Sequence, residues 1–113
     1  MAKYERQLLT RASQLASYLE SGIMDSAISI ELVDSAVQRV GDVTVWLYVY
    51  DKYYMRNSSR AALTVQIIGN DEKANVTAIS AGGGTGTIFN FSYGAEEDFV
   101  GVVEELIDSY SEV

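Results

Sequence analysis

The sequence predicts an α+β domain: one largely antiparallel sheet of about five strands, in the order β-α-β-β-β-β-α, with two helices packed on one face. Three observations predict it. A segment near each end carries apolar residues at spacings of three and four. Between those segments the apolar period is two. The alternating runs are separated by turns too short for crossovers, so successive strands pair antiparallel as a meander. A length of 113 residues suits a single domain over 1–113, with room for a core that needs no disulfides.

Lys3 to Leu8 reads as a short strand. Thr10 is placed to cap the following helix, its hydroxyl covering a free backbone N–H. In that helix Ala12, Leu15, Ala16 and Leu19 make the apolar stripe, Arg11, Gln14 and Ser17 point away, and Gly22 is the expected stop. Ile28, Ile30 and Leu32 then alternate with Ser29 and Glu31. Val40-Gly41-Asp42 is a turn, and Val43, Val45, Leu47 and Val49 form the next alternating set. Arg56-Asn57-Ser58-Ser59 is another turn, followed by a strand with Leu63, Val65 and Ile67. After the polar turn Gly69 to Lys73, Asn75 to Ala81 alternates again. A glycine run interrupts it, and Thr87 to Ser92 reads as a further strand. Phe99, Val102, Val103, Leu106 and Tyr110 mark the last helix. Its first turn holds Glu96, Glu97 and Asp98, which offset the helix dipole, while Glu104, Glu105 and Asp108 fall on its solvated side. This order is similar to that of the TATA-binding-protein-like and helix-grip folds, where a long C-terminal helix lies across a curved sheet. The likeness is one of topology and does not fix function.

Composition narrows the function classes. Without cysteine there is no disulfide, thiolate metal site or thiol nucleophile. Without histidine the commonest general base and metal ligand is missing, so a Ser-His-Asp site is impossible. Eight basic residues stand against sixteen acidic ones, a net charge of -8. That balance disfavours nucleic acid and anionic membrane surfaces as partners. No apolar run approaches the roughly 18 residues of a membrane span. The charged, polar start MAKYERQLLT lacks a signal core, and the expected location is cytoplasmic. Three Asn-x-Ser/Thr triplets, at Asn57, Asn75 and Asn90, are then chance matches.

The stretch Ser80 to Phe91, SAGGGTGTIFNF, holds Gly82, Gly83, Gly84 and Gly86. A phosphate loop needs Lys and Ser/Thr at the start of a helix, and a dinucleotide loop runs straight into a helix after a parallel strand. Here Thr87, Ile88 and Phe89 follow, and the next helix begins with three carboxylates. The run is read as a flexible turn between strands, beside the start of the last helix. The sharper alternative is bare backbone that lets a ligand or another chain come close.

In VTVWLYVYDKYY, Val43, Val45, Leu47 and Val49 face one way and Trp46, Tyr48 and Tyr50 the other. If the helices cover the aliphatic set, the aromatic face is open, and Thr64, Gln66 and Ile68 of the next strand lie on it. Such a face suits an interaction surface, with Trp46, Tyr48, Tyr50 and Gln66 as its candidates. The alternative is the reverse assignment, with the aromatics under the helices as bulky core. Tyr48 and Lys52 match a Tyr-x-x-x-Lys spacing that functions on a helix, so on a strand the match is accidental. The segment Asp51 to Asn57 reads as a solvated hairpin tip with local ion pairs. Its sharper reading is a ligand rim of Tyr53, Arg56 and Arg60, with the guanidinium groups meeting a carboxylate. Asp71 and Glu72 lack the pattern of a calcium loop.

The segments VYDKYYMRNSSRAALTVQIIG and SAGGGTGTIFNFSYGAEEDFV resemble a family of short bacterial proteins of unknown function, over nearly the whole chain. The resemblance implies a stand-alone bacterial domain. It brings no activity, cofactor or catalytic residues. The leading expectation is therefore a non-enzymatic domain without cofactors. It would form a homodimer or bind a protein partner through the aromatic sheet face. A small-molecule binding domain with a cavity between the C-terminal helix and the sheet is the alternative. An enzyme using Asp51, Lys52 or Tyr53 ranks last.

Overall fold

The computed structural model describes residues 2–54, 59–82 and 93–111. Strand β1 (Ala2–Leu8) is followed by helix α1 (Ala12–Asp25), strands β2 (Ile30–Val40), β3 (Val43–Tyr54), β4 (Ser59–Gly69) and β5 (Ala74–Gly82), and helix α2 (Tyr93–Asp108). The sheet order is β1-β5-β4-β3-β2, antiparallel throughout. The expected element order and fold class are those of the structure. The predicted strand Thr87–Ser92 lies outside the described residues.

Local chemistry explains most boundaries. The two-residue link Gly41-Asp42 joins β2 to β3, with Gly41 at φ 63°, a conformation that suits glycine in a hairpin. Strand β2 begins at Ile30, not Ile28, which is fully solvent-exposed before it. A register shift between Leu32 and Asp34 re-phases its side chains.

Two expectations about α1 need correction. Arg11, not Thr10, occupies the N-cap position, and no side chain caps the helix there. Thr10 is buried instead, with its Oγ1 2.8 Å from the Tyr110 hydroxyl. The Ala12 N–H is satisfied by the Asn70 carbonyl at 2.8 Å. Gly22 does not stop the helix, which continues to Asp25. Its missing side chain lets Leu106 of α2 come close: a Cβ on Gly22 would lie 2.8 Å from the Leu106 Cδ2. Around that contact Tyr18 donates to the Leu106 carbonyl at 2.6 Å and its ring meets Tyr110 at 4.9 Å.

Both helices lie on one sheet face. Ala12, Leu15, Ala16, Leu19 and Ile23 of α1 and Phe99, Val103 and Ile107 of α2 bury their stripes there. The sheet contributes Leu63, Val65 and Ile67 of β4, Val76 and Ala78 of β5, and Tyr48, Tyr50 and Tyr54 of β3. Among the described residues no helix is long and apolar enough to cross a membrane.

Candidate functional site

The structure reverses the predicted faces of β3. Tyr48 and Tyr50 are 5% and 0% exposed, and Trp46 is half-buried against the same core. Tyr50 donates to the Glu20 carbonyl of α1 at 3.4 Å, and Tyr54 donates to the Ala95 carbonyl of α2 at 3.1 Å. Tyr48 and Tyr50 belong to the surface on which the helices rest, so they do not form an open interaction face, while Trp46 stands at its half-open end. Gln66 does not share their face either. Tyr48 pairs with Val65 and Tyr50 with Leu63, whereas Gln66 pairs with Leu47. Side chains opposite one another in an antiparallel pair share a face, so Gln66 belongs with the aliphatic set.

Burial pushes the Tyr50 phenol well above its ordinary range, with the nearby Glu20 carboxylate and Tyr48 adding to the rise. Tyr48 rises for the same first reason, burial, and again through Glu20. In the denatured chain a phenol ionises near pH ~10, while these two stay protonated in the native state at that pH. The native state then binds more protons, so stability falls as pH rises above about 10 and is complete below it. Urea midpoints should drop between pH 8 and pH 10.5, and Tyr50→Phe should reduce that drop. An equal drop in the variant would mean Tyr50 does not contribute.

The opposite face is bare of helix. Three cross-strand rows traverse all five strands on it. The first is Lys3–Ile79–Thr64–Val49–Asp34, the second Glu5–Thr77–Gln66–Leu47–Ala36, and the third Gln7–Asn75–Ile68–Val45–Gln38. In each row the three inner strands, β5, β4 and β3, supply only uncharged side chains. Charges appear only on the edge strands, as Lys3 and Glu5 on β1 and Asp34 on β2. Leu47 and Ile79 are 36% and 38% exposed in this field, large for aliphatic side chains in a sheet. Toward one end it gives way to Asp51, Tyr53 and Arg60.

At that end the predicted ligand rim is only partly in view. Arg56 lies outside the described residues. Tyr53 is exposed. Arg60 is already engaged by the Asp51 carboxylate of the neighbouring strand, so its guanidinium is committed within the chain. Lys52 points to the helix side, its Nζ 4.6 Å from the Tyr54 ring centroid and 6.0 Å from that of Phe99.

Of the glycine run only Gly82 is described; Gly83, Gly84 and Gly86 lie outside the described residues. Gly82 closes β5, and its N–H donates to the carboxylate of Glu96, a buried residue in the first turn of α2. The start of the run is thus tied to the start of the last helix, as the sequence suggested. The cavity expected between α2 and the sheet would lie near the glycine run, most of which is outside the described residues. Phe99, Val103 and Ile107 fill that interior. A groove of about 580 Å³ lies at the other end of the sheet instead, lined by Ser13, Arg39, Asp42, Trp46, Asp71 and Glu72, among others. Its charged groups are solvent-exposed, and the Arg39 Nε donates to the Gly41 carbonyl at 3.2 Å.

The bare field escaped sequence reasoning although a signal for it exists. On β4 the set Leu63, Val65, Ile67 is more apolar than Thr64, Gln66, Ile68. Four residues separate the end of β3 from the start of β4, so even-numbered residues of β3 pair with odd-numbered ones of β4. That parity puts the tyrosines with the core set, and a register one residue off puts them with the polar set.

No curated protein matches the chain. The model of a family described as "Family of unknown function (DUF6054)" matches residues 1–111, and the chain belongs to that family.

Proposed function

We propose that this protein is a non-enzymatic domain that associates with itself through the bare face of its sheet. The uncharged field across β5, β4 and β3 carries the reading; charges bound it on the edge strands and, at one end, as the Asp51–Arg60 pair. A centre free of charge inside a rim that carries it matches the depletion of charged residues at the core of protein interfaces. At ~4.8 Å between strands and ~3.3 Å per residue, five strands over the seven residues of β1 present roughly 550 Å². A standard interface buries roughly 800 Å² on each partner. Of the groups named for a catalytic reading, Asp51 is engaged by Arg60 and Lys52 lies over the Tyr54 ring. The phenols of Tyr50 and Tyr54 hold the helices, and the Glu96 carboxylate holds the end of β5.

Leu47 sits in the second row and is the test position. In sedimentation velocity the protein should pass from monomer to dimer between about 1 and 200 µM, since areas of this size support affinities in and around that range. The net charge of -8 on each chain opposes the contact, so added salt should tighten the dimer. Leu47→Lys should remain monomeric throughout, with an unchanged circular dichroism spectrum. A wild type that stays monomeric sinks the reading, as does a dimer that Leu47→Lys leaves intact.

A further inference from the structure

Resting on that reading, we propose that the second copy stacks face to face about a two-fold axis running along β4, so that Lys3 of each chain meets Asp34 of the other. The cross-strand register carries the argument. In the first row Lys3 and Asp34 stand at opposite edges, each two strands from Thr64 on β4. A two-fold axis along β4 exchanges the two edges while keeping the rows together. Lys3 then lies over the partner's Asp34, Ile79 over the partner's Val49, and Thr64 over its own equivalent. In the second row Glu5 lies over the partner's Ala36 and Gln66 over its own equivalent. In the third, Ile68 meets Ile68 across the axis. Opposite charges meet at both edges, and apolar or neutral groups meet between them.

A second aligned stacking has its axis across the strands, through the second row. It places Glu5 directly over the partner's Glu5 and sets Lys3 over Gln7 and Asp34 over Gln38. Like charges at close range disfavour that arrangement, and it leaves the one basic group on these rows without an acidic partner across the interface. Packed sheets lie ~10 Å apart with strands within about 30° of alignment. The edge side chains therefore meet at the rim, in reach of water. Lys3 is available for such a contact. Its ion pair with Glu5 is long, at 3.6 Å, with both side chains more than half exposed, and exposed pairs of this kind bind weakly. Asp34 is exposed, and its carboxylate accepts from the Ser35 N–H at 2.8 Å.

Reciprocal charge reversal tests the axis on the intact chain. Lys3→Glu and Asp34→Lys should each weaken the dimer about fivefold to tenfold, since each change recurs twice per dimer. The double variant should return to within about twofold of wild type. Glu5→Gln should change affinity by less than about twofold, because Glu5 faces alanine. A double variant no better than the singles, in a dimer still lost on Leu47→Lys, overturns the axis and leaves the bare-face reading standing. Marked tightening by Glu5→Gln also overturns it, in favour of the axis across the strands. Loss of the dimer state in wild type removes the reading itself.

Discussion

Tyr50→Ala should destabilise the fold by about 3–5 kcal/mol, the cost of deleting a buried aromatic side chain and leaving its cavity. For a chain of this length that is a fall in melting temperature of about 15 °C or more. The ring is fully buried, its hydroxyl reaches the Glu20 carbonyl of α1, and Leu63 and Leu32 flank it on the neighbouring strands. Leu47→Ala on the same strand, measured at concentrations where the chain is monomeric, should cost about 1 kcal/mol or less, because that side chain faces water. The contrast is the measurement of interest. Comparable losses at the two sites would mean that β3 is covered on both faces, and a larger loss at Leu47 would restore the aromatic face as the open one.

Gly69→Ala should cost about 3 kcal/mol, at the upper end of what overpacking produces. Gly69 ends β4 where the chain folds back on itself. Asn70 donates to the Lys73 carbonyl at 3.0 Å, and the Asn70 Oδ1 accepts from the N–H groups of Glu72 and Lys73 at 2.8 and 3.0 Å. A Cβ on Gly69 would overlap the Lys73 carbonyl oxygen and stand 2.8 Å from the Ala74 Cα and 3.0 Å from the Ala12 Cβ. Two of these are backbone atoms, which no rotamer change can move. The turn also holds α1, through the Asn70 carbonyl that accepts from Ala12, so displacing it disturbs the helix start as well. Gly101→Ala is the control. It lies inside α2 with open space around its Cβ position, so the change should stabilise by about 0.5–1 kcal/mol through backbone entropy. Equilibrium urea unfolding of both variants reads the two signs. A neutral Gly69→Ala would show that the turn relaxes without cost.

Much of the fold was legible because its signals are local. The stripe Ala12, Leu15, Ala16, Leu19 and the stripe Phe99, Val103 bury in the structure as their spacing predicts. The turn at Gly41 follows from glycine's access to positive φ. Where local rules failed, a distant contact had overridden them. Thr10 leaves the cap for Tyr110, a hundred positions away, and Gly22 continues a helix because Leu106 needs its space.

The candidate site divides along the same line. The sequence by itself determined that β3 has one aliphatic and one aromatic face, that the sheet is antiparallel, and that two amphipathic helices cover only one side of it. Only the tertiary structure decided which side. Both faces of β3 are apolar enough to be core, so the strand carries no internal preference, and the choice rests on its pairing with β4. There Leu63, Val65 and Ile67 join the tyrosines and outweigh Thr64, Gln66 and Ile68 in apolar area. The helices bury that combined face of β3 and β4, and the field around Leu47, with Lys3 and Asp34 at its edges, is left bare of helix.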